Sequence, residues 1–266
     1  MREDTYLCPK KQRCAAMLTM LCYALQLNTI PTPYLGYRLA PLLSRDQSSI
    51  EMSRRYVVVA GNIGAGKSTL VSLLAEHLGF IAYLEPVLEN PFLKDFYANM
   101  SRWAFHSQLF FLSHRADMHR KLSEDPHSVV QDRSIYEDAE IFARNLYIQG
   151  IMAEREWCIY KALYATLAEI LPHPSLVIYI RASVSTLQSR IKQRGRDFES
   201  SIPDSYLEGL NNLYEEWISS FTLAPILTIP GDSLDFVTES RDLQVILRTI
   251  TKRLEDNQPY LFPYEM

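Results

Sequence analysis

Residues Gly61 to Thr69 read GNIGAGKST, which sets glycines, a lysine and two hydroxyls at the spacing G-x-x-x-x-G-K-[ST], with Asn62, Ile63 and Ala65 between the glycines. The chemistry such a stretch can do is to hold a polyphosphate. Its glycines let backbone N–H groups turn inward, and the start of a following helix adds partial positive charge. Lys67 can reach the outer phosphates, and Ser68 can offer its hydroxyl to a magnesium ion. Three further groups carry charge in suggestive places: Glu85 before Pro86, Asp132-Arg133-Ser134, and Arg190, Arg194 and Arg196 with Lys192 among them.

The elements that must position these groups are expected from the apolar pattern. Arg55 to Ala60 is a continuous apolar run, as in a strand buried on both faces of a parallel sheet. Leu70, Val71, Leu73 and Leu74 then mark one face of a helix from Lys67 to Gly79, where glycine is a suitable stop. Phe80 to Leu84 reads as a second short strand ending at Glu85, and a carboxylate there lies on the edge where open α/β sheets bind ligands. Proline after it keeps Glu85 extended, in place to act as a base.

A long helix is expected from Trp103, with Gln108 and Arg115 seven residues apart on one face and Phe111 and Leu112 between them. A glutamine amide pairs an acceptor with a donor, which suits the edge of a purine or of cytosine. Ser128 to Gln131 is a third strand, followed by Asp132 as a magnesium-holding group and Arg133 as a partner for Glu85 or phosphate. Asp138 falls in the first turn of a helical region reaching to Leu171, rich enough in large apolar residues to suggest an interface. Leu176 to Ile180 is a fourth strand. Arg190 and Arg194, four apart on the next helix, with Arg196 just beyond Gly195, read as a lid that closes over transferring phosphates. A helix from Ile202-Pro203, a fifth strand from Pro225 to Ile229, a loop from Gly231 to Phe236 and a helix from Arg241 to Leu254 complete the chain. The alternation specifies a parallel sheet with helices on both faces.

Charged residues make up 22% and hydrophobic ones 47%, ordinary for a globular chain, and a net charge of −4 gives no polyanion-binding surface. No nucleic-acid or membrane partner is therefore expected. Cys8, Cys14 and Cys22 lie early and only Cys158 lies in the body, which fits a reducing, cytoplasmic compartment. Residues 1–51 differ in character. Cys14 to Leu27 is apolar but too short to span a bilayer comfortably, no A-x-A cleavage site follows, and Glu3 and Asp4 weigh against a transit peptide. Two regions result: 1–51, an extension expected to be dispensable, an artefactual start or else a targeting segment, and 52–266, a nucleotide-binding domain.

Taken together, GNIGAGKST, Glu85-Pro86, Arg102-Trp103, Gln108, Asp132-Arg133-Ser134, the arginine cluster and Ile202-Pro203 with Tyr206-Leu207-Glu208 resemble the deoxynucleoside kinase family over essentially all of 52–266. Glu89-Asn90-Pro91-Phe92 and His106-Ser107-Gln108 are most similar to the bacterial deoxyadenosine/deoxyguanosine kinases. The resemblance implies an α/β fold of the P-loop NTPase type: a three-layer sandwich with a five-stranded parallel sheet and an arginine-bearing helical lid. It implies ATP as phosphate donor, magnesium, a deoxynucleoside substrate and a homodimer. Glu85 would be the general base for the 5′-hydroxyl, with Arg133 near that oxygen. Lys67, Arg190, Arg194 and Arg196 would balance charge on the phosphoryl group. Ser68 and Asp132 would hold magnesium, Tyr97 and Glu199 the sugar 3′-hydroxyl, and Asp235-Phe236 the loop over the ATP base. Gln108 would pair with the nucleobase, and Arg115 with Asp138 matches the charged pair of purine- and cytosine-directed members.

The alternative is a non-catalytic subunit of the same fold, which would be free to lose the lysine, base or arginines that are all present here. A GTPase lacks support because no N-K-x-D sequence occurs. A nucleoside monophosphate kinase would need extra basic groups for its substrate's phosphate.

Overall fold

The computed structural model describes residues 54–85, 89–196, 199 and 202–255. The extension 1–51 and Pro86 lie outside the described residues. Strand β1 (Tyr56–Gly61) is buried along its whole length, as its valine run requires. Helix α1 (Lys67–Leu78) begins directly after Gly66 and is closed by Gly79, whose left-handed φ of 68° costs a glycine little. Strand β2 (Ile81–Tyr83) follows, then α2 (Leu93–Ala98) and the long α3 (Met100–Glu124), capped by the Asn99 side chain on the Arg102 N–H. Strand β3 (Val129–Asp132) leads into α4, which begins as an α turn over Ile135–Glu137, widens to π geometry over Asp138–Ala143 and returns to α over Arg144–Ile148. The remaining elements are α5 (Glu154–Ile170), β4 (Leu176–Arg181), α6 (Val184–Arg194), α7 (Asp204–Ser220), β5 (Ile226–Pro230) and α8 (Ser240–Glu255).

The five strands form one sheet in the order β2-β3-β1-β4-β5, parallel throughout. Register pairs Val59 with Asp132 on one side of β1 and Gly61 with Ile180 on the other. The chain leaves β1 toward β2 and then steps back across the sheet, so right-handed crossovers place helices on both faces. The direction reverses beside β1, and a crevice opens there at the carboxyl ends of the strands. The phosphate-binding stretch follows β1 directly and lies in that crevice.

Three details differ from the sequence reading. Strand β2, expected over Phe80 to Leu84, is confined to Ile81–Tyr83 and lies at the sheet edge with Ile81 42% exposed. The helical region expected to run unbroken to Leu171 is interrupted at Gly150, where φ is 68°. Helix α2 was not foreseen.

Candidate active site

The loop between β1 and α1 is shaped by its glycines. Gly64 has φ 82°, and a Cβ there would lie 2.8 Å from the Leu187 carbonyl oxygen and 2.9 Å from Ile191, so the loop is packed tightly against α6. Gly66, at φ 99°, sits under the ring of Phe236, which a Cβ would meet at 3.1 Å. Lys67 is buried, and its Nζ donates to the Asn62 carbonyl at 2.9 Å, inside the curl of its own loop. Burial, and then the Arg133 charge, bring this amine down to about 8. The loop opens on a cavity of about 790 Å³ bounded by α6 and by residues 231–239, which is ample for a nucleoside triphosphate.

Ser68 Oγ donates to Asp132 Oδ2 at 2.5 Å, while Asp132 Oδ1 is buried without a partner. A carboxyl oxygen with an open lone pair beside a hydroxyl fits magnesium, which takes one or two carboxylates and completes its shell with water and phosphate. Among the described residues no group of three or more His, Cys, Asp or Glu forms a metal cage.

The second half of the site is built around α3. Arg115 spends its whole guanidinium there: Nη2 donates to Glu85 Oε1 at 2.6 Å, Nε to Asp138 Oδ2 at 2.6 Å, and Nη1 to the carbonyls of Asp132 at 3.2 Å and Arg133 at 3.3 Å. The pairing with Asp138 is the one read from the sequence; the grip on Glu85 was not. Arg133 Nε reaches Glu85 Oε2 at 3.4 Å, and its guanidinium lies over the ring of Phe142 at 4.1 Å. Arg133 also adopts φ 67°, unusual for a side chain of this size. Burial alone would raise the Glu85 carboxyl, but Arg133, Arg115 and Lys67 outweigh it and hold it at about 2. Glu85 is thus a carboxylate at every physiological pH.

A smaller cavity, about 100 Å³, runs from Lys67 and Ser68 past Glu85 to Gln108, Phe111 and Tyr97. Gln108 is buried with its amide oxygen unpartnered, on the face that α3 turns to this cavity. Glu199 lines the same space and is ion-paired with Arg194 and, at 3.2 Å, Arg196. Arg190 donates to the carbonyls of Ala65 at 2.9 Å and Gly231 at 2.8 Å, tying α6 to the loop. Asp235 turns inward on its own loop, accepting from the N–H groups of Val237 and Thr238 and from the Thr238 hydroxyl. Phe236, not Asp235, is the member of that pair packed on the phosphate-binding loop.

Sequence reasoning missed Glu137 and Tyr214. Glu137 is fully buried, and Oε2 accepts from the Ser134 N–H at 2.9 Å while Oε1 accepts from the Gly61 N–H at 3.2 Å. Tyr214 brings its hydroxyl within 2.8 Å of the same Oε1. The spacing Ser134-x-x-Glu137 is a capping-box signature visible in the sequence, but it announces a helix start and says nothing of the reach to β1. No local signal marks Tyr214.

The geometry can be set beside known proteins. A family model described as deoxynucleoside kinase matches residues 57–255. The deoxyadenosine/deoxycytidine kinase of Bacillus subtilis is 37% identical over 204 residues, covering 76% of this chain and 94% of that protein. The deoxyguanosine kinase of the same organism is 36% identical over 195 residues, covering 72% and 93%. Among solved structures, the deoxyadenosine kinase of M. mycoides with bound dATP superposes with a TM-score of 0.66 at 28% identity, over 74% of this chain and 100% of that one. The same enzyme with the products dCMP and dCDP gives 0.67. With its phosphate-binding loop, its buried carboxylate between two arginines and these likenesses over the whole sheet, the chain belongs to the deoxynucleoside kinase family.

Proposed function

We propose that this protein transfers the γ-phosphoryl group of ATP to the 5′-hydroxyl of a deoxynucleoside in the presence of magnesium, preferring deoxyadenosine or deoxyguanosine and accepting deoxycytidine, as a cytoplasmic homodimer serving nucleotide salvage. The observation that carries this reading is the single cavity that joins Lys67 and Ser68 at one end to the unpartnered amide oxygen of Gln108 at the other, with Glu85 between them. A phosphate cradle and a base-reading amide sharing one space is the arrangement a nucleoside kinase needs. The relatives named for deoxyadenosine, deoxycytidine and deoxyguanosine support the substrate class.

In this mechanism the loop N–H groups and Lys67 hold the donor phosphates. Ser68 and Asp132 would hold magnesium, which would supply charge neutralisation at the donor phosphates. Glu85 accepts the hydroxyl proton as the 5′-oxygen forms its bond to phosphorus and the bond to the ADP oxygen breaks. The flanking cations hold this carboxyl below the ordinary carboxylate range, so it is ionised and in place to take the proton as bond formation acidifies the hydroxyl. Before that, Glu85 orients the hydroxyl while Arg115 and Arg133 orient Glu85. Gln108 pairs with the base, Tyr97 and Glu199 hold the 3′-hydroxyl, and Phe236 covers the donor. Arg194 and Arg196 sit on Glu199 in this structure and can turn from it to the phosphoryl group as the site closes. Arg190 braces the loop.

The test is transfer of labelled phosphate from ATP and magnesium to the four deoxynucleosides and their ribose counterparts, by the full chain and by protein begun at Met52. Turnover of purine deoxynucleosides well above thymidine, equal in both proteins, is expected. A folded, ATP-binding protein that transferred nothing would overturn the assignment and point to a non-catalytic subunit.

A further inference from the structure

Tyr214 lies on α7 at a helical spacing from two other groups that touch the phosphate-binding loop. The Leu207 carbonyl and Asn211 Oδ1 accept from Asn62 Nδ2 at 3.0 and 2.7 Å, and the Tyr214 hydroxyl reaches the Gly61 carbonyl at 2.7 Å. Positions 207, 211 and 214 share one face of a helix, so that face forms a continuous seat for Gly61-Asn62. Tyr214 goes further than its neighbours. Arg133 Nη1 donates to its oxygen at 3.3 Å, and Glu137 Oε1 lies 2.8 Å away. One hydroxyl therefore touches the first carbonyl of the donor loop, the guanidinium beside the catalytic carboxylate and a buried carboxylate. Glu137 in turn binds the N–H groups of Gly61, the last residue of β1, and Ser134, two residues past the end of β3.

A capping box requires only the contact to Ser134. Stability of the helix start explains neither the second oxygen's reach to β1 nor the tyrosine. Arg133 has left-handed backbone geometry, and its head is held in place by Glu85, the Phe142 ring and this hydroxyl. From this geometry we infer that Tyr214, braced by Glu137, is a positioning residue for phosphoryl transfer: it fixes Arg133, and through it Glu85, relative to the loop that holds the donor phosphates. The inference rests on the phosphotransferase reading above. Transfer requires the 5′-oxygen and γ-phosphorus in line, and small misplacements cost large factors in rate. Tyr214 links the two substrate halves without touching either.

Tyr214→Phe removes the hydroxyl and little else. In steady-state assays with ATP and deoxyadenosine, kcat is expected to fall 10- to 100-fold while KM for both substrates stays within about threefold. The double variant Tyr214→Phe/Arg133→Lys is expected to be no slower than the worse single one, because both changes break the same connection. Glu137→Gln, assayed in parallel, keeps the size of the brace and is expected to lower kcat in the same direction, which covers the case of a Phe variant that does not fold. A merely structural role predicts a lower unfolding temperature with unchanged kcat, or losses that multiply in the double variant; either result overturns the inference. Wild-type protein that transfers no phosphate overturns the kinase reading and this inference with it, whereas active wild type with an equally active Phe variant overturns this inference alone.

Discussion

At the scale of single residues the site is governed by how its charges are paired. Glu85 is held by two arginines and needs no pH change to be ionised, so Glu85→Gln is expected to leave the nucleoside's dissociation constant within a few-fold while lowering kcat by at least about a hundredfold. Isothermal titration beside a turnover assay checks both halves, and unchanged turnover would remove Glu85 from the mechanism. His119 shows a different consequence of burial. Its ring lies on α3 with Nε2 on the Pro172 carbonyl at 2.8 Å and Nδ1 buried without a partner. Burial first of all brings it down to about 4. Because this lies below the ordinary value near 6.5, the unfolded chain binds more protons between the two, and stability is lost as pH falls from about 6.5 to 4. The loss amounts to at most about 3 kcal/mol. His119→Gln should flatten that part of the urea-unfolding profile, and an unchanged slope would show that other groups carry the acid sensitivity. Glu85, Asp132 and the lysine were legible in the sequence because each stands at the end of an apolar run or inside a dense motif. The bond between Glu137 and Tyr214, 77 positions apart, was not, since neither residue carries a local pattern that names the other.

At the scale of elements, periodicity located all five strands and the helices carrying Gln108 and Arg190. It failed where tertiary contact overrides propensity. The π turn of α4 begins at Asp138, whose carboxylate is paired with Arg115, and nothing in its own stretch of sequence predicts a widened turn. The loop–α6 contact is exacting. Gly64→Ala would put a methyl group against the Leu187 carbonyl at a strained φ and is expected to cost about 1–3 kcal/mol in stability and to weaken ATP binding at least about tenfold. Thermal unfolding with and without nucleotide measures both; a variant with wild-type ATP affinity would show that the loop adjusts. Helix α5 leaves Ile159, Leu163 and Ile170 exposed along one face, and these follow Ile148 at the end of α4. This is the surface proposed for the homodimer. Leu163→Glu is expected to shift a dimer to monomers in sedimentation velocity, and a wild-type protein that sediments as a monomer would dismiss the interface.

For the whole molecule, one sheet carries both halves of the site. The end of β1 supplies the glycine-rich loop, the end of β3 supplies Asp132 and Arg133, and the residues after β2 supply Glu85, so the groups proposed to meet donor and acceptor rest on neighbouring strands. The placement of Glu85 and Asp132 at the carboxyl ends of strands was read from the sequence; the side chains that join those strands to one another were not. Arg115 is the extreme case. Its head holds Glu85 on one side and Asp138 on the other, so the carboxylate proposed to take the proton and the carboxylate proposed to flank the nucleobase share a single cation. On the proposed roles, substrate choice and rate are coupled through Arg115. Asp138→Ala is expected to slow deoxyadenosine turnover as well as to weaken its binding, measurable as a fall in both kcat and kcat/KM. On the proposed roles, a change of base preference made at Asp138 alone would leave the Arg115 charge to fall on Glu85, and replacing Arg115 with Asp138 would remove that burden.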